Sequence, residues 1–105
     1  MNKHINQKYQ DAIVRALEYH FPNAKIILFG SRARATHKEG ADVDVAVDTG
    51  ERILLREIQR ARVTLENLPI PLIVDVVDFH NIPPLLQETI LDEGIIWKNS
   101  NSSGK

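Results

Sequence analysis

Two carboxylates at alternating positions, Asp42 and Asp44, are the strongest chemical signal in the sequence. Successive side chains of a strand point to opposite faces, so a strand through ADVDVAVD places both carboxylates on one face. Their Cα atoms would lie about 7 Å apart, and such like charges repel each other and weaken the strand. A divalent cation turns that repulsion into ligation, because Mg²⁺ prefers one or two carboxylates and completes its shell with water and phosphate oxygens. The pattern predicts a phosphate-handling metal site.

A glycine turn and a third carboxylate are expected beside this pair. Residues 25–29 form a short apolar run that ends at Gly30, which favours a buried strand followed by a turn. Ser31 can cap a brief helix over residues 32–35 whose first N–H groups stay free. Asp75 interrupts the apolar run LIVDVV at residues 72–77, where an unpaired buried carboxylate would be costly.

The remaining periodicity predicts helices on both sides of a small sheet. Apolar spacing predicts helices over residues 5–20 and 51–68, and Pro83 and Pro84 suit the first turn of a last helix that Gly94 closes. Residues 42–48 and 95–97 supply a strand and a short edge strand. The helix at 51–68 is long enough for a crossover, which makes the strands at 42–48 and 72–77 parallel. The expected fold is α+β, an α/β sandwich with a small mixed sheet, and Asp75 would face the pocket of the other two carboxylates.

Composition limits the function classes. The chain has 105 residues, a net charge of -1 and no cysteine, which fits one domain with a single core and excludes disulfides and thiolate metal sites. Residues 1–98 are expected to form that domain and residues 99–105 a disordered tail. The charge balance gives no indication of direct nucleic-acid binding, and no apolar run approaches membrane-spanning length. We expect a cytoplasmic protein with no membrane association.

Residues 25–78 together resemble the minimal nucleotidyltransferase (MNT) family of the polymerase-beta-like nucleotidyltransferase superfamily. The resemblance is carried by a glycine-serine pair after a strand, two arginines, two alternating aspartates after a loop and one aspartate on a later strand: Gly30, Ser31, Arg32, Arg34, Asp42, Asp44 and Asp75. It implies the nucleotidyltransferase fold. Two departures are visible, since the family often has Gly where this chain has Ala35, and Ser where it has Ala41; altered loop geometry is the expected consequence.

The resemblance also implies roles for these residues. Asp42, Asp44 and Asp75 would be the catalytic, metal-binding residues of a two-ion Mg²⁺ site that acts at the α-phosphate and lowers the pKa of an acceptor hydroxyl. The nucleotide-binding residues would be Gly30, Ser31, Arg32 and Arg34, with Arg34 preferred over Arg32 for the phosphates. The nucleotide would be ATP by family frequency.

The same resemblance implies a partner. A domain of this size lacks a separate unit for selecting an acceptor, and the family's neighbour is often a small all-helical HEPN protein in a toxin-antitoxin pair. The implied function is an antitoxin that transfers AMP to a hydroxyl, plausibly a tyrosine, of its HEPN toxin. One alternative is a binding module with weak or no activity, which would neutralise a helical partner by contact alone. A phosphatase interpretation of the two aspartates lacks the threonine that it needs at Ala46.

Other polar residues have plainer interpretations. Surface solvation alone is nearly as good an explanation of Arg32 and Arg34 as phosphate contact. Asp48 is interpreted as solvated, and Asp78 as the cap of the turn at residues 80–81. The stripe of Arg52, Arg56 and Arg60 is interpreted as a solvated helix face, with an acidic partner or phosphates as the alternative. The four histidines have no metal-ligand spacing, and Trp97 is expected in the core or at an interface.

Overall fold

The computed structural model describes residues 2–100, so residues 101–105 of the predicted tail lie outside the described residues. Four helices alternate with four strands. In chain order they are α1 (Gln7–His20), β1 (Lys25–Phe29), α2 (Gly30–Ala33), β2 (Val43–Asp48), α3 (Leu55–Glu66), β3 (Val74–Asp78), α4 (Pro84–Glu93) and β4 (Ile95–Lys98), with a 3-10 turn at Phe79–Asn81 between β3 and α4.

The four strands form one mixed sheet in the order β3-β2-β1-β4. β1 is antiparallel to both β2 and β4, whereas β2 and β3 are parallel and are joined by the predicted crossover through α3. The α+β class with a small mixed sheet is therefore confirmed. Because β3 and β4 are the outer strands, each leaves one backbone edge without a neighbouring strand among the described residues.

The sheet is covered on both faces. On one face the alternating valines of β2 pack with apolar residues of β1, α1 and α3, including Ile13, Leu17, Ile58 and Leu65. On the other face a smaller cluster joins Ala46 and Ile27 to Phe79 and Ile90. Trp97 is partly buried against the larger cluster, as expected. The alternation of β2 thus separates a buried valine face from the face that carries its aspartates.

Helix α3 begins later than the periodicity predicts. It starts at Leu55 rather than Glu51, and Leu54 is 61% exposed rather than part of the buried face. Asp78, which is distant in sequence, explains the later start. Its Oδ2 accepts a hydrogen bond of 2.7 Å from Ile53 N and so holds Ile53 outside the helix. The other oxygen, Asp78 Oδ1, accepts from His80 N at 3.0 Å, so the predicted cap is confirmed.

Helix α2 also departs from its prediction. It begins at Gly30, includes Ser31 and ends at Ala33, and no side chain caps its first turn, so the expected Ser31 cap is wrong. The left-handed φ of +77° at Gly30 lets the chain turn directly from β1 into the helix. No helix of the described residues is both long and apolar enough to span a membrane.

Replacing Asp78 tests the hydrogen bond that joins the end of β3 to Ile53, just before α3. Asp78→Asn converts one accepting oxygen into an amide and leaves one buried N–H without a partner, a loss of about 1–3 kcal/mol. For a domain of this size that corresponds to a fall in Tm of about 5 °C or more. Thermal unfolding followed by circular dichroism measures it, with exposed Asp92→Asn as the control. Equal Tm values for the two variants would contradict the structural role.

Candidate active site

The site is built where β1 ends and β2 begins. In the antiparallel register Phe29 pairs with Asp44, so the turn at Gly30 lies directly beside the Asp44 side chain. A Cβ atom built on Gly30 would lie 2.5 Å from Asp44 Oδ2, closer than any side chain can approach without displacement. Glycine is therefore needed here twice, for its positive φ and for the close approach of the carboxylate.

The second strand pairing brings in the third carboxylate. Asp75 of β3 pairs with Asp44 of β2, which puts their Cα atoms about 4.8 Å apart. Asp42 and Asp75 line one cavity of about 370 Å³. The structure therefore brings together all three predicted carboxylates. Asp75 is exposed, however, so the expectation of a buried carboxylate in an apolar run is wrong, because β3 is an edge strand.

The charges of the neighbouring carboxylates act on Asp44. Burial raises the pKa of Asp44, and the negative charges of Asp75 and then Asp42 raise that pKa further. The nearby positive charge of Arg34 acts in the opposite direction on the same pKa. Ionisation of Asp44 therefore lowers the stability of the folded protein. A cation bound between the carboxylates would reduce that loss.

The donor chemistry of this cluster fits Mg²⁺ better than a softer metal. All three groups are carboxylates, and a magnesium site commonly takes only one or two of them, with water and phosphate oxygens as the other ligands. Among the described residues, no set of three His, Cys, Asp or Glu side chains is arranged to hold an ion by itself. These carboxylates would therefore supply only part of an ion's ligand shell.

Arg32 has a different environment from the one that sequence reasoning considered. Its side chain is buried, with 6% exposure, and Nε donates to Ala41 O at 3.0 Å while Nη1 donates to His4 O at 2.9 Å. His4 Nδ1 donates back to Arg32 O at 2.7 Å. The guanidinium is committed to backbone carbonyls, and it holds the residue before Asp42 in place.

Arg34 lies at the surface beside the carboxylates. Its Nη1 donates to Glu93 Oε1 at 3.1 Å in an ion pair whose two side chains are almost half exposed. Its effect on the pKa of Asp44 shows that its charge reaches the cluster. Of the two predicted arginines, only Arg34 has a solvent-accessible guanidinium near the site. Sequence reasoning missed Glu93, since its position at the end of α4 has no local signal.

A second pair of polar residues lies at the far end of β2. His80 Nε2 donates to Asp48 Oδ1 at 2.6 Å, and the same oxygen accepts from Gly50 N at 2.8 Å. The interpretation of Asp48 as simply solvated is therefore wrong, because His80 and the backbone of Gly50 bind its carboxylate. Asp48 pairs with Lys25, whereas Asp44 pairs with Phe29 at the other end of β1, so this pair lies away from the carboxylate cluster.

Comparison with known proteins agrees with this geometry. A model of the family described as polymerase beta, nucleotidyltransferase matches residues 11–103. A protein of Methanocaldococcus jannaschii, named provisionally as a protein adenylyltransferase, is 35% identical over 91 residues, which cover 87% of this chain and 95% of that protein. The family match spans the glycine turn and all three aspartates.

Solved structures show the same fold. A structure described provisionally as a minimal nucleotidyltransferase is 29% identical, with a TM-score of 0.69 over 90% of this chain and 95% of that one. The structure of a tri-AMPylated Shewanella oneidensis HEPN toxin in complex with an MNT antitoxin has a TM-score of 0.65 at 21% identity, covering 91% of this chain and 74% of that one. The family match and the 35% identical relative together show that the chain belongs to the polymerase beta nucleotidyltransferase family.

Proposed function

We propose that this nucleotidyltransferase transfers AMP from ATP, with Mg²⁺, to a hydroxyl of a HEPN-type partner protein, and that it thereby acts as an antitoxin. The observation that carries the proposal is the convergence of Asp42, Asp44 and Asp75 on the turn at Gly30. The adenylyltransferase name of the relative and the AMPylated HEPN toxin in the structurally similar complex support the choice of AMP and of partner.

Different residues of the site would bind the nucleotide, hold the ion and position the backbone. Gly30 lets the backbone approach the phosphates, and Ser31 and Arg34 offer a hydroxyl and a guanidinium to their oxygens. Asp42 and Asp44 would hold the ion, with Asp75 at the exposed end of the cluster. A bound Mg²⁺ would neutralise the phosphates and favour ionisation of the acceptor hydroxyl. Arg32, being buried, would act by holding Ala41 and with it Asp42.

The proposed reaction is a displacement at the α-phosphorus of ATP. The acceptor oxygen forms a bond to the α-phosphorus, the bond from that phosphorus to the bridging oxygen breaks, and pyrophosphate leaves. The proton of the acceptor hydroxyl passes to a carboxylate oxygen of Asp75, which is accessible because β3 is the edge strand. The products are an AMP ester of the partner and pyrophosphate.

The binding-module alternative rests on Ala35 and Ala41, the two departures from the family pattern, and Ala35 is strained. Ala35 has a φ of +59°, a left-handed conformation that glycine adopts without penalty and alanine at about 1–2 kcal/mol. The chain thus keeps a glycine-like conformation at the position where the family often has glycine. Since the three carboxylates converge beside Gly30, we favour the enzyme over a protein that acts by contact alone.

Exchange of Asp42 and Asp44 for Asn together separates the two functions. We expect AMP transfer to fall by about a thousandfold or more, because both carboxylates proposed to hold Mg²⁺ are lost. Incubation with α-labelled ATP, Mg²⁺ and a co-purified HEPN-type partner measures the transfer. The double variant should still co-purify with that partner. Complexes that form without labelling by the unaltered protein, with any nucleoside triphosphate, would favour the binding module.

Gly30→Ala tests the close approach of Asp44. The added Cβ must displace the Asp44 carboxylate, so we expect AMP transfer to fall by about a hundredfold, the scale of loss for a small misplacement in an active site. Gly40→Ala is the matched control, because Gly40 has a similar φ of +80° but no atom within 4 Å of an added Cβ. Equal activity of the two variants would show that backbone strain alone explains the effect.

The raised pKa of Asp44 predicts a stability effect with a defined sign. The folded state holds the Asp44 proton to higher pH than the unfolded chain, so ionisation destabilises the fold as pH rises above the ordinary value of 3.8. In metal-free buffer at neutral pH, Asp44→Asn should therefore raise Tm by a few degrees, and the gain should shrink as pH falls toward 3.8.

Calorimetry at several pH values measures this gain, with exposed Asp92→Asn as the control. Adding Mg²⁺ should raise the Tm of the unaltered protein and not that of the variant, because only the unaltered protein keeps the full carboxylate cluster for the ion. A lower Tm for Asp44→Asn at neutral pH would contradict the repulsion within the cluster.

A further inference from the structure

Arg34 and Glu93 join two helices that flank the carboxylate cluster. Arg34 Nη1 donates to Glu93 Oε1 at 3.1 Å, although the two residues are 59 positions apart in the chain. The ion pairs of Arg56 and Arg60 with Glu57, in contrast, lie within α3. The Arg34–Glu93 pair therefore connects the end of α2 to the end of α4.

The ion pair holds only one nitrogen of the Arg34 guanidinium. Neither Nε nor Nη2 of Arg34 donates to any of residues 2–100, and the side chain is 45% exposed. The charge of Arg34 also acts on Asp44, where it opposes the rise in pKa that burial and the other carboxylates cause. Because a guanidinium has five N–H donors, Arg34 can keep Nη1 on Glu93 while its other nitrogens bind phosphate oxygens beside the cluster.

Both residues of this ion pair are attached to well-packed backbone. Arg34 N donates to Gly30 O at 3.2 Å, which joins the arginine to the glycine turn. Gly94, which follows Glu93, packs so closely on β1 that an added Cβ would lie 2.5 Å from Ile27 Cγ2. Glu93 is therefore presented to Arg34 by a helix end that is packed against the sheet.

Glu93 occupies an unfavourable position for the stability of α4. The last turn of that helix carries Asp92 and Glu93 and no basic residue. The carboxyl end of a helix has a partial negative charge, so carboxylates there destabilise the helix. The stability of α4 therefore does not explain why this position is acidic. A residue that departs from such a local rule beside a candidate site is where a functional role is expected.

We propose that Glu93 is a positioning residue of the nucleotide site, and that it orients the Arg34 guanidinium toward the phosphates of ATP. Glu93 would accept from Nη1 while Nε and Nη2 donate to phosphate oxygens. The competing explanation is that Glu93 only repels the phosphates or competes with them for Arg34. This inference rests on the nucleotidyl transfer proposed above, and it adds a residue of α4 to that same site.

Two substitutions of Glu93 distinguish these roles, because they separate the reach of the side chain from its charge. Glu93→Asp keeps the charge but is one methylene shorter, so it either loses Nη1 or draws the guanidinium toward α4. We expect the KM for ATP to rise about fivefold with kcat unchanged, since an exposed ion pair of good geometry is worth at most about that factor. Glu93→Gln removes the charge but keeps an oxygen that can accept from Nη1, so its KM should stay within about twofold of the unaltered value.

Glu88→Asp is the matched control on α4. Glu88 is exposed and lies on a different side of the helix from Glu93, so its exchange should leave KM and kcat unchanged. AMP transfer from α-labelled ATP with Mg²⁺ and the HEPN-type partner measures both constants for all three variants. A fivefold lower KM for Glu93→Gln would show that repulsion of the phosphates dominates, and it would overturn the positioning role.

Arg34→Ala shows whether Glu93 acts through Arg34. In that variant ATP should bind about tenfold more weakly, and the further exchange Glu93→Asp should not change the Kd again. An equal effect of Glu93→Asp with and without the arginine would show that Glu93 acts on the nucleotide by another route, which contradicts the proposal.

Binding of α,β-methylene ATP with Mg²⁺ separates failure of this inference from failure of the proposed reaction, because this analogue cannot transfer AMP. Isothermal titration calorimetry measures its Kd. If Glu93→Asp weakens binding about fivefold and Glu88→Asp does not, the inference stands even where no AMP is transferred. If both variants bind as the unaltered protein does, Glu93 does not position Arg34, and the proposed reaction is unaffected. If no nucleotide binds to the unaltered protein, both proposals fail.

Discussion

The site depends on the packing of one carboxylate against one glycine. Pairing of Phe29 with Asp44 puts the Asp44 carboxylate where any side chain on residue 30 would lie, and pairing of β2 with β3 places Asp75 on its other side. A slip of one residue in either register would turn an aspartate to the opposite face of the sheet. The valine face of β2, buried against α1 and α3, prevents that slip. The apolar core therefore fixes the geometry of charged groups that it does not contact.

The three neighbouring carboxylates lower the stability of the folded protein when they are ionised. The pKa of Asp44 is raised by burial and by its two acidic neighbours, so the ionised cluster strains the folded state in the absence of a cation. Two buried charged side chains hold the surrounding backbone through hydrogen bonds. Arg32 fixes the backbone at His4 and Ala41, and Asp78 fixes the approach to α3. These hydrogen bonds fix the backbone on both sides of the carboxylate cluster.

Because β3 is an outer strand, its side chains and one backbone edge remain accessible. An inner strand would cover Asp75 on both sides, whereas the edge leaves it exposed and leaves the backbone at Val74 without a strand partner among residues 2–100. Natural proteins protect such edges with charges or covering side chains, and Arg62 does so at Val76 through its hydrogen bond to the carbonyl.

Sequence patterns alone determined the strands, the parallel crossover and the convergence of Asp42, Asp44 and Asp75, because apolar alternation and crossover length act locally or through general rules of sheet topology. The role of Asp78 as a cap followed from its position before a turn. Only the tertiary structure decided the burial of Arg32, the pairing of Arg34 with Glu93 and that of His80 with Asp48. These partners lie 28, 59 and 32 residues apart, and periodicity shows which face a side chain occupies but not which distant group meets it there.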